Sequence, residues 1–418
     1  MTTITVEVRM SVKGLRVGFF GSFYPHVDRL STASTGLVTL LSMSEKIEKI
    51  SVFSPLLSST PNGLSTSKIR IIPSWSYDDP LSLIKTVIKM IKMKSDIDVY
   101  IFNIFLTSFG RSRIANVTGL LLPVLLSKLT HKRVCTYMHN FIETQDIEKL
   151  GYEKKWLATR VASLLERRIA NNTLLFVPLE SQRLTLEALF HSKVNSVLIP
   201  YVEGVCSFIC KVDELHELKS DDTKPLSFLL FGSWGPQKDL EGALRIFKEL
   251  IDEGNDIRIT VSGNINNNFP HYEKKIERIM AQLPSKYIMW IKDVPERMVQ
   301  SLFVDSDVLF LPYNAAGGYS GVMNVGAFYD MQMVSYDVPE LREFDLIIGA
   351  GCTFVDPSQP VEVKRVLVQK ARESRRSKGG NQSISREKLQ KSLRAAEDFV
   401  DMIIDSNDPS VMASEESL

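Results

Sequence analysis

Short β-branched or aromatic runs recur along this chain with helical patterns between them, and that alternation admits few solutions other than parallel sheets built from βαβ units. Two series are read. The first comprises Arg16–Phe20, Ile50–Phe53, Ile69–Ile72, Val99–Asn103, Arg133–Met138, Leu174–Pro178 and Ser196–Pro200, with an amphipathic helix at Trp156–Asn171. The second comprises Leu226–Phe231, Ile257–Ser262, Tyr287–Ile291, Val308–Leu311, Met333–Tyr336 and Thr353–Val355, separated by helices at Leu240–Glu253, Tyr272–Gln282, Pro295–Val304 and Val322–Tyr329. Residues 203–225, between the series, carry Glu, Asp, Lys and a Pro and read as a linker. The expected fold class is therefore α/β, with two Rossmann-like parallel-sheet domains, 1–202 and 226–372, facing each other across a cleft. C-terminal helices follow over 373–404, then a polar tail, 405–418. Open α/β sheets bind ligands outside the C-terminal ends of their strands, which places the site in the cleft.

Composition narrows the function. At 418 residues the chain is long enough for two or three domains, and 50 basic against 49 acidic residues leave a net charge of +1, with no global field for wrapping nucleic acid. An anionic ligand must be met locally. Four cysteines, Cys135, Cys206, Cys210 and Cys352, are too few and too scattered for a disulfide framework and contain no Cys-x-x-Cys pair, so a reducing cytoplasm is expected. The segment Met1–Lys13 lacks the apolar core of a signal peptide. The most apolar stretch, Val117–Leu129, is interrupted by Pro123 and falls short of the ~20 residues that span a bilayer, so it reads as a buried helix. The Asn-x-Ser/Thr triplets at Asn116, Asn171 and Asn381 carry no weight without a secretory signal.

Three segments have the chemistry of ligand loops. The first strand runs into Gly21-Ser-Phe-Tyr-Pro25 and the small polar run Ser31-Thr-Ala-Ser-Thr-Gly36, ahead of a helix expected at Leu37–Ser42. Either a plain βα turn or a loop whose N–H groups approach an anion or sugar fits this segment. The dinucleotide pattern Gly-x-Gly-x-x-Gly is missing, which disfavours a nicotinamide dehydrogenase. The second segment, Phe231-Gly-Ser-Trp-Gly-Pro-Gln-Lys238-Asp239, joins a strand end, a Gly-bearing loop and a Lys at the start of a helix, where an ammonium suits a diphosphate or is simply exposed. The third, Leu311-Pro-Tyr-Asn-Ala-Ala-Gly317-Gly318-Tyr319-Ser320-Gly321-Val322-Met323-Asn324, sets small residues before an apolar helix, a pattern that forms an anion nest.

Those segments, in that order and with an isolated His139 just past a strand in Cys135-Thr-Tyr-Met-His139-Asn140, resemble the retaining family-4 glycosyltransferases of the two-Rossmann GT-B fold. The resemblance spans nearly the whole chain. It implies a nucleotide-diphosphate sugar as donor, held mostly by the second domain, and a glycan or lipid-linked acceptor held by the first. It assigns Lys238 and His139 to catalysis, His139 at the donor sugar. Gly21, Gly232, Ser233, Gly318, Tyr319, Ser320, Gly321, Val322 and Asn324, with Lys238, become the expected donor contacts. No cofactor and no metal are expected. Ser233 stands where the family has Arg, and Gly318 and Gly326 stand where many members have a pair of glutamates, as in a subgroup with small residues there. Ser335-Tyr-Asp-Val-Pro-Glu340-Leu-Arg-Glu343 resembles the family segment that ends in Glu.

Two pairs, Asp96-Ile-Asp98 and Asp305-Ser-Asp307, mimic a metal motif but precede strands, at the wrong end for the cleft, and read as strand-entry residues. Ile84, Val87, Ile88 and Ile91 form one helical stripe beside another of Lys85, Lys89 and Lys92. Such a helix either packs on the core with a solvated basic face or lies on anionic lipid, which would make the protein peripheral to the cytoplasmic membrane face. The leading expectation is a glycosyltransferase; the alternative is a catalytically silent nucleotide-sugar-binding or partner subunit of the same fold.

Overall fold

A computed structural model describes residues 14–25, 29–61, 64, 67–151, 156–209, 224–377 and 386–405. Cys210, Asn381 and most of the expected linker and polar tail lie outside them. Lobe 1 holds strands β1 (Leu15–Phe20), β2 (Ile47–Pro55), β3 (Ile69–Trp75), β4 (Val99–Ile104), β5 (Arg133–Met138), β6 (Leu174–Val177) and β7 (Val194–Ser196). Its helices are α1 (Arg29–Met43), α2 (Pro80–Lys92), α3 (Arg113–Thr130), α4 (Trp156–Ala170), α5 (Glu180–Phe190) and α6 (Val202–Ile209). Lobe 2 holds β8 (Leu226–Phe231), β9 (Ile257–Ser262), β10 (Ile288–Ile291), β11 (Val308–Leu311), β12 (Gln332–Tyr336) and β13 (Thr353–Val355). Between and after them run α7 (Leu240–Asp252), α8 (Pro270–Met280), α9 (Glu296–Val304), α10 (Gly321–Phe328), α11 (Pro339–Ile348), α12 (Pro360–Ser377) and α13 (Arg386–Asp405).

Both sheets are parallel, in the orders β3-β2-β1-β4-β5-β6-β7 and β10-β9-β8-β11-β12-β13. Right-handed crossovers then put α1 on one face of sheet 1 and α2, α3, α4 and α5 on the other. The outer faces of the sheets are covered separately. Leu83, Val87, Leu120, Leu126, Leu165 and Ile169 fill the space under α2, α3 and α4, while Leu244, Phe247, Ile276 and Leu367 do so under α7, α8 and α12. The inner layer is shared. One continuous apolar core runs from α1 through α6 and α10 to α11 and α13, and so belongs to both lobes.

Several elements depart from the sequence expectations. Ser31–Gly36 is not a loop but lies within α1. Its hydroxyl groups meet neighbouring segments, Ser34 Oγ accepting from Asn103 Nδ2 at 2.9 Å and Thr35 Oγ1 from Tyr24 N at 3.3 Å, and small side chains let α6 come close: a Cβ on Gly36 would stand 1.9 Å from Val202 O. Glu203–Ile209 is helical rather than linker, because Val202, Val205 and Cys206 bury one stripe of α6. The last strand of lobe 1 is Val194–Ser196 rather than Ser196–Pro200. α3 is buried on one side only; Leu125 and Leu129 are exposed. The Ile84 stripe is split likewise, with Val87 in the core and Ile84 and Ile88 outside.

α13 leaves lobe 2, where Lys388 donates to Ala327 O and pairs with Asp330, and ends on lobe 1. There the Phe399 ring meets Phe176 and Tyr137 at centroid distances of 4.9 and 5.9 Å, and Lys46 pairs with Asp401 at 2.5 Å.

Candidate functional site

Each sheet reverses its winding at one place, and in open α/β sheets ligands bind outside the strand ends at such a reversal. In lobe 2 the reversal lies between β8 and β11. The chain leaves β8 through Gly232, whose φ of 142° favours glycine. A Cβ there would stand 2.7 Å from Lys238 Nζ, and a Cβ on Gly263, at the end of β9, would stand 2.1 Å from Gly232 O. The two turns are thus pressed together with the lysine ammonium against the first. Lys238 ends a short 3-10 turn, Pro236–Lys238, and its Nζ lies 4.8 Å from the ring centroid of Tyr313 and 5.9 Å from that of Trp234. Aromatic faces stabilise a half-buried cation. Among the described residues Lys238 has no ion-pair partner. The Tyr313 hydroxyl beside it is buried and makes no hydrogen bond among the described residues. Val322, in the first turn of α10, closes the group, with Cγ2 3.8 Å from a Cβ position on Gly232. Ser233 is exposed on the loop, and Asp239 caps α7 by accepting from Gly242 N at 3.0 Å, burial pushing its carboxyl above the usual range.

In lobe 1 the reversal lies between β1 and β4. Asn103 donates from Nδ2 to Ser34 Oγ at 2.9 Å, and its Oδ1 is 2.5 Å from His139 Nε2. Gly21 is walled in: a Cβ on it would stand 3.0 Å from Ser34 Oγ and 3.1 Å from Asn103 O. His139 is 2% exposed, its ring packed on Tyr137, Phe105 and Tyr319 at centroid distances of 4.8, 4.9 and 5.7 Å. Tyr319 comes from lobe 2, on a loop that reaches across the cleft. Gln145 Nε2 donates to Gly317 O at 2.7 Å, and a Cβ on Gly318 would stand 2.9 Å from His139 O. His139 therefore lies under a roof made by residues 317–319.

The start of α10 has two flanks. Val322 faces the Lys238 group, whereas a Cβ on Gly321 would stand 2.9 Å from Glu203 Oε1. Glu203 is a buried carboxylate on α6, and it accepts from Tyr319 OH at 2.8 Å and from the Asn324 amide, while Asn324 Oδ1 accepts from Tyr201 N at 2.7 Å. Its charge sits favourably near the positive end of α10. The side chains of Tyr319 and Asn324 are thus committed to the junction of the lobes, and Ser320 Oγ accepts from Met323 N at 3.2 Å as the cap of its own helix. The two Asp-x-Asp pairs lie away from the cleft. Asp98 binds Arg16 at 2.7 Å, which holds its carboxyl below the usual range, and Asp307 binds Ser227 and Arg375. Among the described residues no group of three or more His, Cys, Asp or Glu is placed to hold a metal ion.

Compared by sequence, the chain matches no family model and no curated protein. Compared by structure, it is similar over 93% of its length to 99% of Anabaena HepE in complex with UDP and glucose, with a TM-score of 0.61 at 8% identity. The chain has the GT-B fold. A glycosyltransferase from Rickettsia africae also shares it (TM-score 0.57, 12% identity, 95% of this chain and 100% of that one). So does a Listeria monocytogenes protein provisionally assigned as a UDP-N-acetylglucosamine 2-epimerase (TM-score 0.56, 10% identity, 95% and 98%).

Within this GT-B frame the two glycines at the expected glutamate positions are enforced by packing. Gly318 has a φ of 137° and no room beside His139 O, and a Cβ on Gly326 would stand 2.7 Å from Leu309 Cδ2 and 2.8 Å from Met333 Sδ. Tyr313, Gly263, Gln145 and Glu203 were not singled out from the sequence. Ser262-Gly263 at a strand end, in register with Phe231-Gly232, is the signal that would have found the second glycine turn.

Proposed function

We propose that this GT-B chain is a glycosyltransferase that moves a sugar from a nucleoside-diphosphate sugar to a hydroxyl of a glycan or lipid-linked acceptor, with retention of configuration. One observation carries the reading: the Lys238 ammonium, unpaired by any carboxylate among the described residues, held between Tyr313 and Gly232 just past the end of β8. The diphosphate lies against Lys238 Nζ and accepts from the Tyr313 hydroxyl, with the amides of Gly321 and Val322 at the positive end of α10 beside it. As the glycosidic bond to the diphosphate breaks, these fixed donors stabilise the charge growing on the leaving group, which is where preorganisation lowers a barrier most. Lys238 supplies the positive charge, so turnover is expected without added divalent metal. His139 contacts the donor sugar once residues 317–319 lift from its ring. Retention rests on the sequence resemblance alone, and UDP is the first nucleotide to try because HepE carries it.

The test is a panel of nucleotide sugars, UDP-glucose first, scored for thermal stabilisation, nucleotide release and the fate of the sugar. Release of nucleotide with the sugar joined to an acceptor supports transfer. A changed sugar still attached to the nucleotide would instead mean epimerisation, and binding without turnover would mean a silent binding subunit. No stabilisation by any nucleotide sugar would sink the proposal.

A further inference from the structure

We propose that the outer layer of lobe 1, made by α2, α3 and α4, is a docking face for an anionic lipid bilayer. The proposal is independent of the transfer reading. The three helices pack side by side over one apolar layer, so their outward faces form one surface. On α2 that surface carries Leu81, Ile84 and Ile88 along one edge and Lys85, Lys89 and Lys92 along the other, all exposed. α3 contributes Ile114, Leu125 and Leu129 with Arg113 and Lys128. α4 adds Trp156, Leu157 and Leu164, with Arg160, Arg167 and Arg168 among them. The Arg160 guanidinium lies 4.4 Å from the Trp156 ring centroid.

Charge decides the occupant. Every exposed charged side chain on these helices is Lys or Arg, and their one acidic residue, Glu166, is fully buried. Among the described residues the basic side chains make no ion pairs. At the starts of these helices Asp78 accepts from Ser112 N at 2.5 Å and Asp79 from Leu81 N at 3.0 Å, so their carboxylates face backbone N–H groups rather than the basic side chains. The surface changes character at α5, where Glu180 and Glu187 pair with Arg183. Apolar side chains set among unpaired cations complement an anionic headgroup layer over acyl chains, whereas a second copy of the same face would be repelled. No helix among the described residues is long and apolar enough to cross a membrane, so contact is in the plane of the surface.

The apolar side chains that stand out furthest are Leu81, Ile114, Trp156 and Leu157, between 64% and 71% exposed. They begin their helices, and in parallel βαβ units helices begin at the edge where strands end, which is the cleft side. A bilayer on this face therefore runs along the cleft rim of lobe 1.

Flotation tests the idea, using vesicles of phosphatidylcholine alone or with 30% phosphatidylglycerol and no donor present. Wild type should float with the anionic vesicles at 0.1 M salt and not with the neutral ones. Lys85→Glu/Lys89→Glu/Lys92→Glu should weaken that partitioning by about 100-fold or more. At 1 M salt, where the Debye length is ~3 Å, the fraction that remains bound should vanish in Ile114→Ser/Trp156→Ser/Leu157→Ser. All six positions are exposed, and circular dichroism confirms folding of both variants. Failure of wild type to float with anionic vesicles, or equal flotation of all three proteins, overturns the proposal. So does a wild-type dimer that ignores vesicles and that the apolar variant converts to monomer, since the face would then be covered by a second copy.

Discussion

A lysine ammonium resting on two aromatic rings, with no carboxylate partner among the described residues, contributes to binding more than to folding. Lys238→Ala should weaken a bound nucleoside diphosphate by about 1–3 kcal/mol in titration calorimetry while leaving the unliganded melting temperature nearly unchanged. Equal affinity in the mutant would remove Lys238 from the site. Tyr313→Phe deletes a buried hydroxyl that no group among the described residues satisfies, so the free protein should be as stable or slightly more so and ligand affinity should fall by about 1 kcal/mol. The substitution that family likeness recommends should fail. Gly326→Glu places a Cβ against Leu309 and Met333 and a carboxylate in their apolar layer, and should destabilise the fold by at least about 1–3 kcal/mol in chemical denaturation rather than create a ribose contact. That Lys238 and Gly232 come together past the end of β8 was legible, because a glycine and a lysine follow one strand within a few residues. Tyr313 was not, since a tyrosine after a strand is usually core, and only the fold shows that its hydroxyl ends beside an ammonium. The uses of Tyr319 and Asn324 were hidden as well, because their partner Glu203 lies more than a hundred residues earlier in the chain.

Elements were read best where one local pattern settled them. β5, β8, β9, β11 and β13 begin and end where their β-branched and aromatic runs do, since buried parallel strands are continuous apolar stretches. α1 and α6 were misread because their reasons are not local: the small residues of α1 and Gly204 in α6 serve contacts with elements far away in the chain. α4 carries a further consequence. Glu166 Oε1 accepts from Ile142 N at 2.6 Å while Oε2 has no partner among the described residues, and burial pushes the carboxyl up to about 8. The ordinary value in an unfolded chain is near 4.5. A raised acid favours the folded state most below the lower value, and that advantage is lost as pH rises through the higher one. Wild type should therefore lose stability relative to Glu166→Gln between about pH 5 and pH 9, by at most about 5 kcal/mol, read from melting temperatures across that range. Parallel curves for the two proteins would contradict the assignment. Ile142 belongs to the stretch that carries His139 and Gln145, so the same pH rise should loosen the contact with residues 317–319.

At the scale of the whole molecule, the two-lobe plan was legible from two series of strands, but the joint between the lobes was not. A shared apolar core makes separate melting unfavourable. Calorimetry should give one cooperative transition, and Phe399→Ala, though it lies on the last helix, should cost about 3–5 kcal/mol because it empties a seat between Tyr137 and Phe176 in the first lobe. Two resolved transitions would show the lobes to be independent. The return of α13 also bears on how the cleft can work. The chain joins the lobes after α6 and again along α13, which is held at both ends, by Lys388 on lobe 2 and by Phe399 on lobe 1. An opening that lifts residues 317–319 from His139 is therefore expected to be a swing about the line through α6 and α13, since that motion leaves both ends of α13 seated.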